Sequence, residues 1–241
     1  MSFHDTVRVI QPGQRRLKIF IDFWNLVINA RKQTSFEIDV QWNSLAEYFV
    51  GETWKGHGDE STGDLAGCYI FGSYARSNPT ESAFIDRTLD KYGSMPGLYF
   101  DFKERVKKEA STKCPKCGEQ VYRSSELGVD VLLTVEMIKH AAMREHDFFA
   151  LVSSDRDYLP LLSYLKDQGQ RVMHVATGEA HRDMRSLTWK QISLTEIYVN
   201  LCSIVHEGRL ILSISKKSEK ASAGDIVARS AWVDIQGHRY C

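Results

Sequence analysis

Two hydrophobic periods alternate along this chain: short apolar runs of the kind that form buried strands, and longer stretches whose apolar positions recur with helical spacing. "RLKIFID", residues 16 to 22, is a β-rich run that closes on a carboxylate, and helical spacing follows over residues 25 to 32 and 41 to 50. The polar "GHGDESTGD", residues 56 to 64, predicts a loop before a second buried strand, "LAGCYIFGSY", residues 65 to 74. "NPTESAFIDRTLDKYG", residues 78 to 93, predicts a helix with Thr80 as N-cap, apolar positions at Phe84, Ile85 and Leu89, and Gly93 at its end. "GLYFDFKERV", residues 97 to 106, predicts a third strand.

Helical texture returns over residues 128 to 145, "GVDVLLTVEMIKHAAMRE", before a strand at 148 to 152 and a helix at 157 to 168 with Pro160 in its first turn. "QRVMHVAT", residues 170 to 177, is a further strand, and a shorter one is expected near 189 to 194. Strands alternating with helices imply right-handed βαβ crossovers, hence an α/β fold with a mostly parallel central sheet covered by helices on both faces. Residues 1 to 15 read as an N-terminal extension and 16 to 200 as the domain, interrupted by a basic, turn-rich insertion at 107 to 124. Residues 201 to 241 read as a C-terminal extension, linker-like over "KKSEKASAGD".

Composition narrows the function classes. The 241 residues carry 31 basic and 31 acidic side chains. That neutrality argues against a non-specific nucleic-acid coat protein, whose binding draws on counterion release. It is compatible with a nuclease, because carboxylates that hold divalent metal offset basic residues in the total. "MSFHDTVRVIQPGQRR" has no apolar signal region and no run approaches a membrane span, so the expected location is the cytoplasm, away from membranes. Five cysteines, unevenly placed, do not resemble a disulfide framework.

In open parallel sheets the functional crevice lies at the carboxyl ends of the strands. Asp22 ends the first strand, Asp155 and Asp157 follow the strand at 148 to 152, and Asp130 begins the helix after the insertion. Convergent carboxylates repel one another unless a cation joins them, and Mg²⁺ or Mn²⁺ suits hard oxygen ligands. Such an ion would activate water and neutralise the leaving oxygen in phosphodiester hydrolysis. Each aspartate also has a plainer reading. Asp155 or Asp157 fits a helix cap, and Asp130 a first-turn acid matched to the helix dipole.

Three strings carry a resemblance: "IFIDFWNL" (19 to 26), "LGVDVLLTVEMIKHA" (127 to 141) and "FALVSSDRDYLPLLSYLKDQGQRV" (149 to 172). In order and spacing they resemble the NYN domain family of PIN-like ribonuclease domains, most nearly its LabA-like branch. The resemblance implies a Rossmann-like parallel sheet with an acidic divalent-metal site that cleaves RNA. Asp22, Asp130, Asp155 and Asp157 match the family's acidic positions, Asn25 its asparagine beside the first acid, and Ser154 sits in the matching strand-end turn. Two departures stand out: Leu127 where the family commonly has lysine, and Glu136 where aspartate is frequent. Glu136 falls about 240° round the helix from Asp130 and is expected to face elsewhere.

Arg156 and Arg76 are candidate phosphate contacts, with surface ion pairing as the alternative. Tyr74 and Trp24 lie near the same edge and are candidates for base stacking, with core packing the simpler role for Trp24. "KCPKCGEQVY", residues 113 to 122, offers half of a tetrahedral zinc site in Cys114 and Cys117. Completing it takes distant ligands or a second copy of the chain, which would make the protein a homodimer; a plain β-hairpin tip is the alternative. The lysines around it, Lys107, Lys108, Lys113 and Lys116, suit either an RNA-guiding arm or a solvated hairpin. A metal-dependent ribonuclease is the leading expectation. An interaction module that keeps the fold without turnover comes second, and a small-molecule phosphohydrolase third.

Overall fold

Leu17, Ile19 and Ile21 of the first strand, β1 (Arg15–Asp22), face one side of a central sheet while Phe20 faces the other, so one alternating strand feeds two hydrophobic cores. The computed structural model describes residues 15–34, 36–54, 63–113, 120–125, 128–143, 148–194, 203–206, 209–216, 232–233 and 239–240. After β1 come α1 (Phe23–Thr34), β2 (Phe36–Val40), α2 (Trp42–Trp54), β3 (Gly63–Tyr74), α3 (Pro79–Tyr92) and β4 (Leu98–Glu104). A hairpin of β5 (Val106–Lys113) and β6 (Gln120–Ser125) precedes α4 (Val129–Met143) and β7 (Phe148–Val152). A 3₁₀ turn (Arg156–Tyr158) leads into α5 (Leu159–Asp167), followed by β8 (Val172–Ala176), α6 (Arg182–Leu187) and β9 (Lys190–Ser193).

The main sheet is six-stranded in the order β4-β3-β1-β7-β8-β9, and every pairing in it is parallel. β7 and β8 are buried at every position, as strands covered on both faces must be. Phe23, Leu26, Trp42, Leu45 and Phe49 from α1 and α2 fill one core. Leu133 and Met137 of α4, with Leu161, Leu162 and Leu165 of α5, fill the other. Among the described residues no helix is long and apolar enough to cross a membrane.

The α/β architecture and the parallel sheet are those expected, with differences in detail, among them α6, a short helix where none was expected. The helix at 79–92 is capped by Asn78 rather than Thr80, because Asn78 Oδ1 accepts from the backbone N–H of Thr80 at 3.1 Å and of Glu81 at 3.4 Å. The expected helix at 157–168 begins as a 3₁₀ turn and becomes α-helical only at Leu159, with Pro160 in the first turn. β2 was not expected; its apolar Phe36, Ile38 and Val40 make too short an alternation to stand out between two helical stretches. It matters to the far end of the chain, where β10 (Ser203–His206) pairs antiparallel with β11 (Arg209–Lys216) and β11 pairs antiparallel with β2.

Candidate functional site

Asp22 ends β1 and caps α1. Its Oδ1 accepts the backbone N–H of Asn25 at 3.1 Å, three residues on, as an N-cap does. The residue is only 8% exposed, and its second oxygen, Oδ2, turns to β7, where the Ser153 hydroxyl lies at 3.3 Å. The same hydroxyl accepts the N–H of Asp155 at 3.1 Å. Ser153 therefore bridges the first acid to the turn carrying the third.

Asp155 in turn accepts the N–H of Asp157 through Oδ1 at 2.9 Å and caps the 3₁₀ turn. The cap reading of Asp155 holds, and it does not compete with a place in the acidic cluster. A carboxylate has a second oxygen, and Asp155 is one of three carboxylates whose charge acts on the Tyr158 hydroxyl, with Asp22 and Asp130.

Tyr158 is the centre of this arrangement. It is 1% exposed, and its hydroxyl donates to Asp130 Oδ1 at 3.1 Å with Asp22 Oδ2 at 3.5 Å. Burial first, and then the negative charges of Asp22, Asp130 and Asp155, push the phenol well above its ordinary range, so it stays a protonated donor. Asp130 reaches it from the first turn of α4, which starts at Gly128 in the left-handed conformation, φ +66°. Two elements distant in sequence thus bring the carboxylates of Asp22 and Asp130 to one hydroxyl beside the carboxyl ends of β1 and β7, and the charge of Asp155 acts on it from the same turn.

Asp157 is not brought into the group: it is exposed and is not among the charges acting on Tyr158. Among the described residues no three His, Cys, Asp or Glu side chains stand close enough to hold a metal ion as they are placed. Asp22 and Asp130 meet at a phenol, with Asp155 on the turn beside it.

A second polar network holds the neighbouring edge. Asn25 Oδ1 accepts from Ser154 N–H at 2.8 Å, Thr177 Oγ1 at 2.5 Å and Asn29 Nδ2 at 3.0 Å, which ties α1 to the ends of β7 and β8. Ser154 Oγ accepts the N–H of Gly178 at 2.8 Å. Below this, the fully buried His174 bonds the Ser153 carbonyl through Nε2 at 2.7 Å and Gln191 Nε2 through Nδ1 at 2.7 Å. A carbonyl can only accept, so Nε2 carries the proton and Nδ1 accepts from Gln191, which makes the ring the neutral tautomer. Burial, the largest influence, lowers the pKa and agrees with that assignment.

The remaining candidates are placed more plainly. Arg156 pairs with Asp183 at 2.5 Å and Arg76 with Glu104 at 3.6 Å, both at the surface. Trp24 packs edge-on against Phe23, donates to the Ser73 carbonyl, and lies under the Arg105 guanidinium; Tyr74 packs on the same core. Glu136 pairs with Lys139 at 2.5 Å on α4, away from the acids, as the helical angle predicts. Leu127, Cys114, Cys117 and Lys116 lie outside the described residues.

Ser153, Tyr158, Thr177 and His174 were not singled out in the sequence. His174 had a signal, a lone polar residue inside the apolar run of a short strand. Tyr158 had only its place after the Asp-x-Asp pair.

The family model described as NYN domain matches residues 16–194. No curated protein is similar enough to count as a match. A crystal structure of a protein of unknown function from Vibrio parahaemolyticus is similar to 77% of this chain over 96% of its own, at 14% identity and a TM-score of 0.48.

Proposed function

Because this chain belongs to the NYN domain family of PIN-like nuclease folds, we propose that it is a divalent-metal-dependent ribonuclease whose acidic centre is Asp22, Asp130 and Asp155. The observation that carries this reading is the meeting of Asp22 from β1 and Asp130 from α4 at the Tyr158 hydroxyl, beside the turn after β7 that carries Asp155. The donors there are carboxylate and hydroxyl oxygens, the set that Mg²⁺ or Mn²⁺ prefers and that leaves room for retained waters. A cation held by Asp22 and Asp130, with Asp155 reaching it directly or through water, would supply Lewis acidity at the phosphate and offset the charge that develops there.

The chain's own residues do the positioning. Asp22 and Asp155 are each fixed through one oxygen by a backbone N–H, and Asp22 turns its other oxygen to Ser153 and Tyr158. Tyr158 holds Asp130 and stands within reach of Asp22, so the two acids keep one orientation. Asn25 spends its carbonyl oxygen on three donors, and its amide N–H groups are available for a phosphate or sugar oxygen. Asp157, on the rim, acts on the centre only through water or substrate. Arg156 and Arg76 meet a phosphate only after leaving their surface partners, which are weak.

That Asp22 and Asp130 meet at a phenol, with no three metal-ligating side chains clustered among the described residues, favours a second reading, a module of the same fold that binds RNA without cutting it. Incubating the purified chain with labelled RNA, single-stranded DNA and a chromogenic phosphomonoester, each with Mn²⁺, Mg²⁺ or chelator, separates the possibilities. RNA cleavage that disappears in chelator is the expected result. Hydrolysis of the monoester alone points to a small-molecule phosphohydrolase, and RNA binding with no cleavage under any metal points to the module.

A further inference from the structure

On the α4 face of the sheet, one row of side chains runs from the strand bearing Asp22 to the sheet edge: Phe20, Tyr69 and Tyr99 sit side by side in register across β1, β3 and β4. Their rings stack, Phe20 on Tyr69 at 5.1 Å and 13°, Tyr69 on Tyr99 at 4.7 Å and 16°. The stack therefore grows along the strand-to-strand direction, and β4 is the edge strand. Tyr99, its last ring, is 51% exposed although it is a large aromatic residue within a strand.

The row is built to hold its shape. Tyr69 stands over Gly67, where a Cβ would approach Tyr69 Cε2 to 2.9 Å. The His140 ring from α4 packs tilted against both Phe20 and Tyr69, and its Nδ1 accepts from the buried Lys18 ammonium at 2.8 Å. Tyr99 is thus a rigid aromatic end-plate backed by two further rings. A ring set this way loses little freedom on meeting another flat π-system.

We propose that Tyr99 is a base-stacking subsite for single-stranded RNA entering the acidic centre, the nucleobase continuing the Phe20–Tyr69–Tyr99 stack past the sheet edge. The proposal rests on the ribonuclease reading for its choice of occupant. Strand register sets the distance: Asp22 pairs with Phe71, and Phe71 with Asp101, so Tyr99 lies two strands across and two residues back from Asp22. That is about 10 Å across and about 7 Å along, a span that a short stretch of single strand covers. A duplex keeps its bases paired and stacked internally and cannot offer one to the plate. The subsite accordingly selects single strands, and by stacking rather than base edges it tolerates sequence.

The test uses the full chain as wild type, Tyr99→Ala and Tyr99→Phe, with fluorescent oligouridine and oligoadenosine and a matched RNA duplex, in chelator so that no cleavage occurs. Anisotropy titration is expected to show single-strand affinity about tenfold weaker in Tyr99→Ala, within the range for loss of one base stack, and retained within about twofold in Tyr99→Phe. Duplex affinity should be the same in all three; Tyr99→Ala is expected to melt somewhat lower through loss of its stack on Tyr69, so all titrations are run well below its melting temperature. Equal single-strand binding by Tyr99→Ala, a Phe variant as weak as Ala, or a wild type that binds no single strand would overturn the subsite. Cleavage by the same preparations with Mn²⁺ is read separately. A wild type that binds through Tyr99 but cuts nothing ends the nuclease reading and leaves the subsite standing; one that cuts without dependence of binding on Tyr99 does the opposite.

Discussion

Tyr158 donates its hydroxyl proton to Asp130 across 3.1 Å and so joins the turn after β7 to the first turn of α4, 28 residues earlier in the chain. The bond sets where two of the three acids point, because Asp22 shares the same hydroxyl at 3.5 Å. Tyr158→Phe keeps the buried ring and removes only the donor. The expected outcome is a stability loss of roughly 1.5–3 kcal/mol, as for a hydrogen bond to a charged group. Weakening of divalent-metal affinity by about tenfold or more is also expected, as for partners that orient metal-ligating side chains. Denaturant unfolding and Mn²⁺ titration measure the two; unchanged metal affinity would remove Tyr158 from the site.

Asp155 is expected to separate its two roles by substitution. Asparagine caps as well as aspartate, so Asp155→Asn should melt no lower than wild type, and higher if relief of repulsion among Asp22, Asp130 and Asp155 dominates. Asp155→Ala removes the acceptor for the Asp157 N–H and should cost about 1 kcal/mol. Thermal melts of the pair check this. Equal melting of the two variants would mean that the cap contributes nothing.

Asp157 offers a contrast within the same motif. Exposed and outside the group around Tyr158, it should tolerate replacement by asparagine with less than about a tenfold fall in kcat/KM, under about 1.4 kcal/mol of transition-state stabilisation. Steady-state cleavage kinetics read the difference. A loss as deep as that of Asp155→Asn would place Asp157 at the centre.

His174 predicts a pH dependence whose sign follows from burial. Its folded-state pKa is lowered below the ordinary 6.5, so the unfolded chain binds more protons in the interval between the two values. Its contribution to stability is full above about pH 6.5 and is lost as the pH falls from there to the folded-state value. In His174→Gln an amide N–H can still meet the Ser153 carbonyl, but nothing titrates. The wild type should therefore lose more melting temperature than the variant between about pH 7.5 and 5.5; parallel curves would contradict the assignment of a neutral ring.

Most of the frame was legible because strand and helix periods alternate cleanly and because three strings of residues share one order and spacing. The sites of Asp22 and Asp155 followed from strand ends, which the apolar runs mark. What could not be read was which side chains meet. Tyr158 and Ser153 sit among acids whose own signal is stronger, and only the packing of α4 onto β1 and β3 shows that a buried phenol lies between Asp22 and Asp130. Asp155 and Asp157 look equivalent in Asp-x-Asp, yet one turn of 3₁₀ geometry makes the first a half-buried cap and leaves the second exposed. β2 was hidden for a related reason. Its pairing partner, β11, is far along the chain, and non-local pairing leaves no periodic mark in either segment.

A metal-dependent RNA-cutting centre at Asp22, Asp130 and Asp155, as proposed, depends on the charge of each carboxylate. The most direct measurement is cleavage of labelled RNA by wild type and Asp155→Asn, prepared identically, with Mn²⁺ and with chelator, alongside RNA affinity in chelator. Cleavage is expected from wild type with Mn²⁺ only and not from Asp155→Asn, with RNA affinity of the variant equal to or above wild type, since one charge that repels phosphate is gone. Full cleavage by Asp155→Asn, or cleavage by wild type that persists in chelator, would contradict the proposed centre.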